Sequence, residues 1–368
     1  MVYRSDRQVD FLLVGQGLAG TLLAYELIQA GKSVIVIDRG HQKAASKVAA
    51  GIINPITGRY FAKSWMIDHL FPHARQLYRQ LESLLSISCF EEKSMFRILR
   101  NPREHNDWQL KSIKPKVQHY LGEDKDIGDF KGIIDSGLGF CQFKAAQLNM
   151  PLLVRTFRDW LHNKKALIEA PFDYSQLKIK PHQLQYQHIT AQQLVCCEGQ
   201  AGRFNPFFGD LPFRVTKGEV LYCEIKGLAT KHMIKHNLIL APLPNGQYWL
   251  GSNYERDPIH AQPTESTRAK LLTQLEEMMK VNFSIKDQRA AIRPTIKDRR
   301  PLLGTHPKYT NIHIFNGLGT KGASLGPYWA KAMLNYLLDE TTIPEEVNIQ
   351  RFEQANRVVI QKSNREQK

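Results

Sequence analysis

Residues 11–38 read "FLLVGQGLAGTLLAYELIQAGKSVIVID", and no other stretch narrows the folding options as far. The apolar run "DFLLV" leads into Gly15-Gln16-Gly17-Leu18-Ala19-Gly20. The helix predicted over Leu18–Ala30 then carries Leu23, Leu27 and Ala30 on one face. Gly31 stops that helix, and "SVIVID" reads as a second buried strand rich in β-branched residues. In such a unit Gly15 permits the sharp turn, Gly17 lets the backbone approach a pyrophosphate, and Gly20 allows close packing of helix on strand. The helix start at Leu18 and Ala19 offers N–H groups and a partial positive charge to phosphates. Asp38 ends the second strand, where a carboxylate can accept the ribose hydroxyls of an adenosine. An acid there argues for a dinucleotide without a 2′-phosphate, with Arg39 as the opposing hint.

A comparable unit recurs near the other end of the chain. "IFNGLGTKGASLGPYWAKAML", from Ile314 to Leu334, reads as a strand end, a glycine-rich turn and a helix. Between the two, a helix is expected from Pro72 to about Leu85, and "QFKAAQLNMPLLVRTFRDWL" also reads as helical. "QQLVCCEGQAG" is expected to be a buried strand running into a turn at Gly199. "FRVTKGEVLYCEI" and "NGQYWLGSNYE" are expected to be antiparallel strands. Parallel-type α/β patterning at both ends encloses strand-rich material. That pattern implies a discontinuous domain of 1–85, 131–205 and 300–368, interrupted by a second domain of 86–130 and 206–299.

Composition sets outer limits. The 368 residues carry 50 Lys+Arg against 35 Asp+Glu, a net charge of +15 that favours anionic partners. The basic residues are spread along the chain, so a generally basic surface accounts for them better than a nucleic-acid site does. No apolar run reaches the roughly 20 residues that a bilayer span needs, and "MVYRSDRQVD" lacks the layout of a signal peptide. The expectation is a cytoplasmic protein without a membrane partner. Five cysteines without metal-ligand spacing read as small buried hydrophobes. The pairs His69/His73 and His232/His236 have helical spacing but no third ligand nearby, so no metal is expected. With no P-loop or CxxC in the chain, phosphoryl-transfer and thiol-redox chemistry have no support.

Taken in order, the first glycine turn, "SKVAAGIINP", "LVCCEGQAG", "FRVTKGEVL", "YWLGSNYERD", "AAIRPTIKDRRPLLG" and "NIHIFNGLGTKGASLGP" resemble the D-amino acid oxidase-type family of FAD-dependent oxidoreductases, which includes glycine and sarcosine oxidases. The likeness spans nearly the whole chain. Two of its segments look most similar to the oxidase half of the bifunctional tRNA wobble-uridine methylaminomethyl-modifying enzyme. Glu198 departs from the pattern, since the family carries a small residue before that glycine. The resemblance implies an α/β fold, with a Rossmann-like FAD-binding domain and a strand-rich α+β substrate domain. It also implies that one extended FAD reaches from the first glycine turn to the last. Ser46, Ala50 and Gly51 would then line its phosphates or ribityl chain, and Gly199 its adenosine side. Gly317, Gly319, Thr320, Lys321 and Gly322 would meet the flavin ring, where their amides stabilise negative charge.

The activity implied is oxidation of the C–N bond of a small anionic amine or amino acid. The alternative substrate is a carboxymethylaminomethyl-uridine in tRNA, and a third reading is a flavin-binding subunit without turnover. Arg293 is the expected anchor for a substrate carboxylate, through bidentate guanidinium bonding, or else the partner of Asp298. Lys321 would stabilise reduced flavin or assist oxygen, or be a solvated loop lysine. Arg59 and Tyr60 would sit near the ring, and Tyr254 would face the substrate.

Overall fold

We describe a computed structural model of the chain, covering residues 6–40, 44–122, 132–134, 136–228, 230–257 and 259–352. It divides into two compact units. The first comprises Met1–Lys47, Pro151–Val215 and Arg293–Lys368, and the second Val48–Met150 and Thr216–Ile292.

The first unit is built on a sheet whose main path runs Leu302–Thr305, Ile312–Asn316, Ile189–Cys196, Arg7–Val14, Val34–Ile37 and Leu167–Ile168. From Ile312–Asn316 onward the neighbours are parallel, while Leu302–Thr305 joins antiparallel at the edge. Parallel strands buried on both faces need continuous apolar runs. "VIVI" of Val34–Ile37 and "IHIFN" of Ile312–Asn316 are buried throughout. Helix Leu18–Gln29 follows the central strand. It packs on helix Gly322–Leu337 through small residues: a Cβ added to Gly326 would lie 2.6 Å from the Leu22 Cδ1.

The second unit carries a sheet in the order Phe283–Arg293, Thr216–Ile225, Tyr248–Gly251, Ile239–Pro242, Met233–Lys235, Phe90–Ile98, Phe140–Leu148 and Ile52–Ile53. Its pairings are antiparallel wherever the register is defined, except between Met233–Lys235 and Phe90–Ile98. One face buries Leu221, Ile234, Leu240 and Leu250 against Leu271 and Leu275 of helix Glu265–Glu276.

Three sequence expectations need correction. The segment Gln142–Leu161 is not one helix: Phe140–Leu148 is a strand paired along its whole length with Phe90–Ile98, and Met150–Asn163 is the helix. Alternating burial of Cys141, Phe143 and Ala145 has the period of a strand, and Pro151 suits a helix's first turn. Helix Ile67–Leu85 begins five residues before Pro72 and runs through it. Proline forfeits one backbone bond there, but the apolar face of Ile67, Leu70, Ala74, Leu77 and Leu81 still directs the helix. Finally, 48–85 and 132–150 belong to the second unit. Ile52–Ile53 extends the second sheet, and a close backbone approach at Gly51 to Leu148 fastens that edge.

In the second unit, Glu104 is a buried carboxylate between Arg97 (2.9 Å) and Arg100 (2.5 Å). Burial pushes its carboxyl up. The hydrogen bonds from Arg100 and Arg97 outweigh that and hold it at about 2. A depressed carboxyl pKa stabilises the fold above the ordinary value and loses that contribution as pH falls toward the folded one. We expect Glu104→Gln to cost about 3 kcal/mol near neutral pH, as for breaking a buried pair. The gap between its denaturation midpoint and that of the parent should narrow below about pH 4.5, as measured by urea titration.

Candidate active site

Three turns gather at the C-terminal ends of the parallel strands of the first unit. Strand Arg7–Val14 ends at Gly15, Ile189–Cys196 runs into Gly199, and Ile312–Asn316 ends at Gly317. Chain ends of parallel strands in an open α/β sheet are where such folds take ligands.

The first turn is sterically committed to glycine. Gly15 has φ +100°, and a Cβ on it would stand 2.7 Å from the Cys197 carbonyl oxygen. A Cβ on Gly20 would stand 1.9 Å from the Gly15 carbonyl oxygen. The backbone amide of Gly15 donates to Ile37 at 2.9 Å, and that of Cys197 donates to Val14 at 2.8 Å. Gly17 is the cap residue of helix Leu18–Gln29, with no side chain to occupy the helix's first N–H groups. Leu18 is buried and Ala19 half-buried.

Asp38 lies where the sequence predicts, but its carboxylate is already heavily engaged. Oδ2 accepts the Gln16 amide at 2.8 Å, and Oδ1 accepts the Gly40 amide and the Arg158 Nη1, each at 2.8 Å. Arg158 comes from helix Met150–Asn163, and its Nη1 also donates to the Gln16 side chain at 3.2 Å. Gln16, almost wholly buried, donates in turn to Thr21 and to the Val154 carbonyl. These bonds engage both carboxylate oxygens of Asp38. Arg39 is exposed and contributes nothing to this knot.

At the second turn, Gly317 and Gly319 take φ of +76° and +55°. Asn316, buried at 2% exposure, is the tie between turns: its Nδ2 donates to the Gly199 carbonyl at 3.0 Å, and its Oδ1 accepts the Gly317 amide at 2.8 Å. The segment after Arg293 lies against the same turn. A Cβ on Gly317 would meet Ile296 at 2.8 Å, and one on Gly319 would meet the Thr295 Cα at 3.8 Å. Lys321, half-buried, precedes helix Gly322–Leu337. Burial, then the charges of Arg300 and Arg299, holds its ammonium below the usual lysine range. Thr320 is exposed. Asp298 pairs with Arg351 at 2.8 Å.

Ser46 supplies a direct test of whether the first unit fits a bound cofactor. It is buried, and its hydroxyl has no hydrogen-bond partner. A buried orphan hydroxyl on the short helix Ala45–Val48 suits a missing polar group such as a phosphate or ribityl oxygen. Together with the two glycine turns, this donor set matches a long dinucleotide. Glu198 is half-buried beside Gly199, where its carboxylate accepts Asn205 at 2.5 Å. Burial raises its pKa, and the residue fills its own polar niche without crowding the turn.

The remaining predicted residues fall in the second unit. Ala50 is buried, and Gly51 (φ +66°) is demanded by packing, because a Cβ would lie 2.0 Å from the Leu148 carbonyl oxygen. Tyr254 is 46% exposed, which fits a rim better than a core. Arg59 and Tyr60 are both exposed, the guanidinium stacked 4.4 Å from the ring centre. Among the described residues there is no cluster of three metal-ligating side chains, and no helix is long and apolar enough to cross a membrane. All five cysteines are buried and unbridged.

A parallel α/β unit with paired glycine turns, joined to a strand-rich unit, defines a flavin-dependent oxidoreductase class. The family of FAD dependent oxidoreductases termed DAO matches residues 10–335, and the chain belongs to it. Among curated proteins it is 19% identical over 360 residues to the uncharacterized oxidoreductase YurR of Bacillus subtilis, covering 90% of this chain and 96% of that one. Glycine oxidase from Geobacillus kaustophilus superposes with a TM-score of 0.76 at 17% identity, covering 91% of this chain and 96% of that one. Iminodiacetate oxidase from Chelativorans sp. BNC1 gives 0.72 at 17%, covering 91% and 97%. L-proline dehydrogenase from P. horikoshii gives 0.74 at 15%, covering 95% and 99%. The protein is thus an FAD-dependent oxidoreductase that shares its fold with these enzymes.

The Arg158 knot yields a prediction. Removing a charge-assisted bond of this kind costs about 1.5–3 kcal/mol, so Arg158→Met should weaken FAD binding roughly ten- to hundredfold. Quenching of flavin fluorescence on reconstitution of the apoprotein measures this directly, and a change under twofold would refute it.

Proposed function

We propose that the protein oxidises the C–N bond of a small amine or amino acid bearing a carboxylate. The observation that supports this reading is where the strand leading to Arg293 ends. That strand is Phe283–Arg293, and the next residues press against Gly317 and Gly319 of the second turn. A guanidinium reaching that turn would supply bidentate recognition of a carboxylate. The identities of three fold neighbours, oxidases and a dehydrogenase of small amino and imino acids, agree with that chemistry.

FAD, when bound, supplies the hydride acceptor for the carbon bearing the amine. The first turn and Asp38 would hold the adenosine and pyrophosphate end, and Ser46 would donate to the oxygens between. The amides from Gly319 to Gly322, with the positive end of helix Gly322–Leu337, favour negative charge at the ring end. Lys321 adds a cation there that half-burial makes readier to give up its proton. Arg293 orients the substrate by its carboxylate, so that a neutral amine presents its C–H bond. No strong general base is then required.

The net charge of +15 supports a second reading, in which the same carboxymethylamino group is presented on tRNA. Tight, salt-sensitive tRNA binding would favour it, and indifference to tRNA would remove it.

Arg293→Ala decides the anchor. Loss of a bidentate carboxylate contact should raise KM for the amine that reduces the flavin by at least tenfold, while kcat falls less. Arg293→Lys should recover part of the loss. Steady-state kinetics with unchanged KM would refute the role.

A further inference from the structure

The turn that precedes strand Leu302–Thr305 carries a residue that its backbone does not favour. The amide of Arg299 donates to the Ile296 carbonyl at 3.0 Å, closing a four-residue turn, and Arg299 itself takes φ +60°. That is the left-handed region, and the last position of such a turn is one that glycine fills without strain. An arginine kept there, and exposed, points to a use for its guanidinium. Among the described residues no ion pair or hydrogen bond engages that guanidinium.

Within the first unit this turn lies against the second glycine turn. Leu302 stands opposite Asn316 in an antiparallel pair, so the chain before Leu302 runs beside the chain after Asn316. A Cβ on Gly317 would meet the Ile296 Cγ1 at 2.8 Å and the Leu302 amide nitrogen at 3.1 Å. The Lys321 amide donates to the Leu318 carbonyl at 3.3 Å, which closes the glycine turn. The Lys321 ammonium thus lies in the field of Arg300 and Arg299, which act with burial to hold it below the usual lysine range.

Local carboxylates do not balance this charge. Residues 295–302 and 316–322 hold Lys297, Arg299, Arg300 and Lys321 against Asp298 alone. Asp298 is already engaged: Oδ2 accepts the Arg351 Nε at 2.8 Å, and Oδ1 accepts the Arg300 amide at 3.0 Å and the Arg351 Nη2 at 3.5 Å. Cations gathered in this way repel one another unless an anion joins them. A phosphate monoester meets that demand better than a carboxylate. It brings about two negative charges and three acceptor oxygens near neutral pH, whereas one guanidinium already satisfies a carboxylate.

We propose that Arg299, with Arg300 and Lys321, forms a phosphate-recognition point at the second glycine turn. The substrate is then an amine that carries a phosphate group, an assignment that rests on the amine-oxidation reading above, although the site can be tested apart from turnover.

The test is calorimetric titration of the FAD-loaded protein, at physiological salt, with methyl phosphate and with acetate. Methyl phosphate should bind roughly tenfold or more tighter than acetate. Arg299→Gly should remove that preference and leave the unfolding midpoint close to the parent's, because relief of the left-handed backbone offsets the greater freedom of glycine when unfolded. Arg299→Lys should keep part of the preference. No phosphate preference in the parent, or one that survives Arg299→Gly, would overturn the proposal. So would tight tRNA binding by a parent indifferent to methyl phosphate, since a phosphodiester backbone is then the ligand. Anaerobic flavin reduction by glycine, sarcosine and O-phosphoserine separates the two claims. An Arg299-dependent phosphate preference in a protein whose flavin none of them reduces keeps the phosphate point and counts against amine oxidation. Reduction without phosphate preference does the reverse.

Discussion

The first unit depends on one close approach. Helix Leu18–Gln29 leaves the central strand so tightly that no side chain fits at Gly20, whose missing Cβ would stand 1.9 Å from the Gly15 carbonyl oxygen. That contact fixes the direction in which the helix's first amides point. It also brings Leu18 and Leu22 against Gly322 and Gly326 of the last helix. Two segments some three hundred residues apart are thereby set side by side. A cofactor with an adenosine at one end and a flavin at the other needs such an arrangement, because neither glycine turn alone spans it.

The order of strands does the rest. Since Ile189–Cys196 lies between Arg7–Val14 and Ile312–Asn316, the Gly199 turn sits between the two glycine turns, and Asn316 laces it to Gly317. Strand Phe283–Arg293 ends one short turn before Ile296 packs on Gly317. A site assembled from strand ends can keep its phosphate-binding geometry while the substrate-reading strands diverge. The low identities to fold neighbours with different amines agree with this.

What the sequence reveals and what it hides divide along contact range. The glycine turns, Asp38 and the buried strand before Gly199 are legible because each is a local pattern with a local mechanism. Arg158 is not, since it sits 120 residues from Asp38 on a helix whose own periodicity concerns only its apolar face. Asn316 could have been noticed as a polar residue ending a buried strand at a glycine turn. The approach of the Arg299 turn to Lys321 depends on strand register, Leu302 opposite Asn316, which no short motif reports. The misread stretch from Gln142 has a similar origin. Its alanines and glutamines favour a helix locally, but nine residues of pairing with Phe90–Ile98 override that propensity.

The central claim is that turns at opposite ends of the chain serve the two ends of one FAD. Amide hydrogen exchange on the apoprotein and on the FAD-loaded protein tests it most directly. Protection gained on loading both at Gly15–Gly20 and at Gly317–Gly322 is the predicted result. Protection at the first turn alone, with the second exchanging as fast as before, would contradict the account.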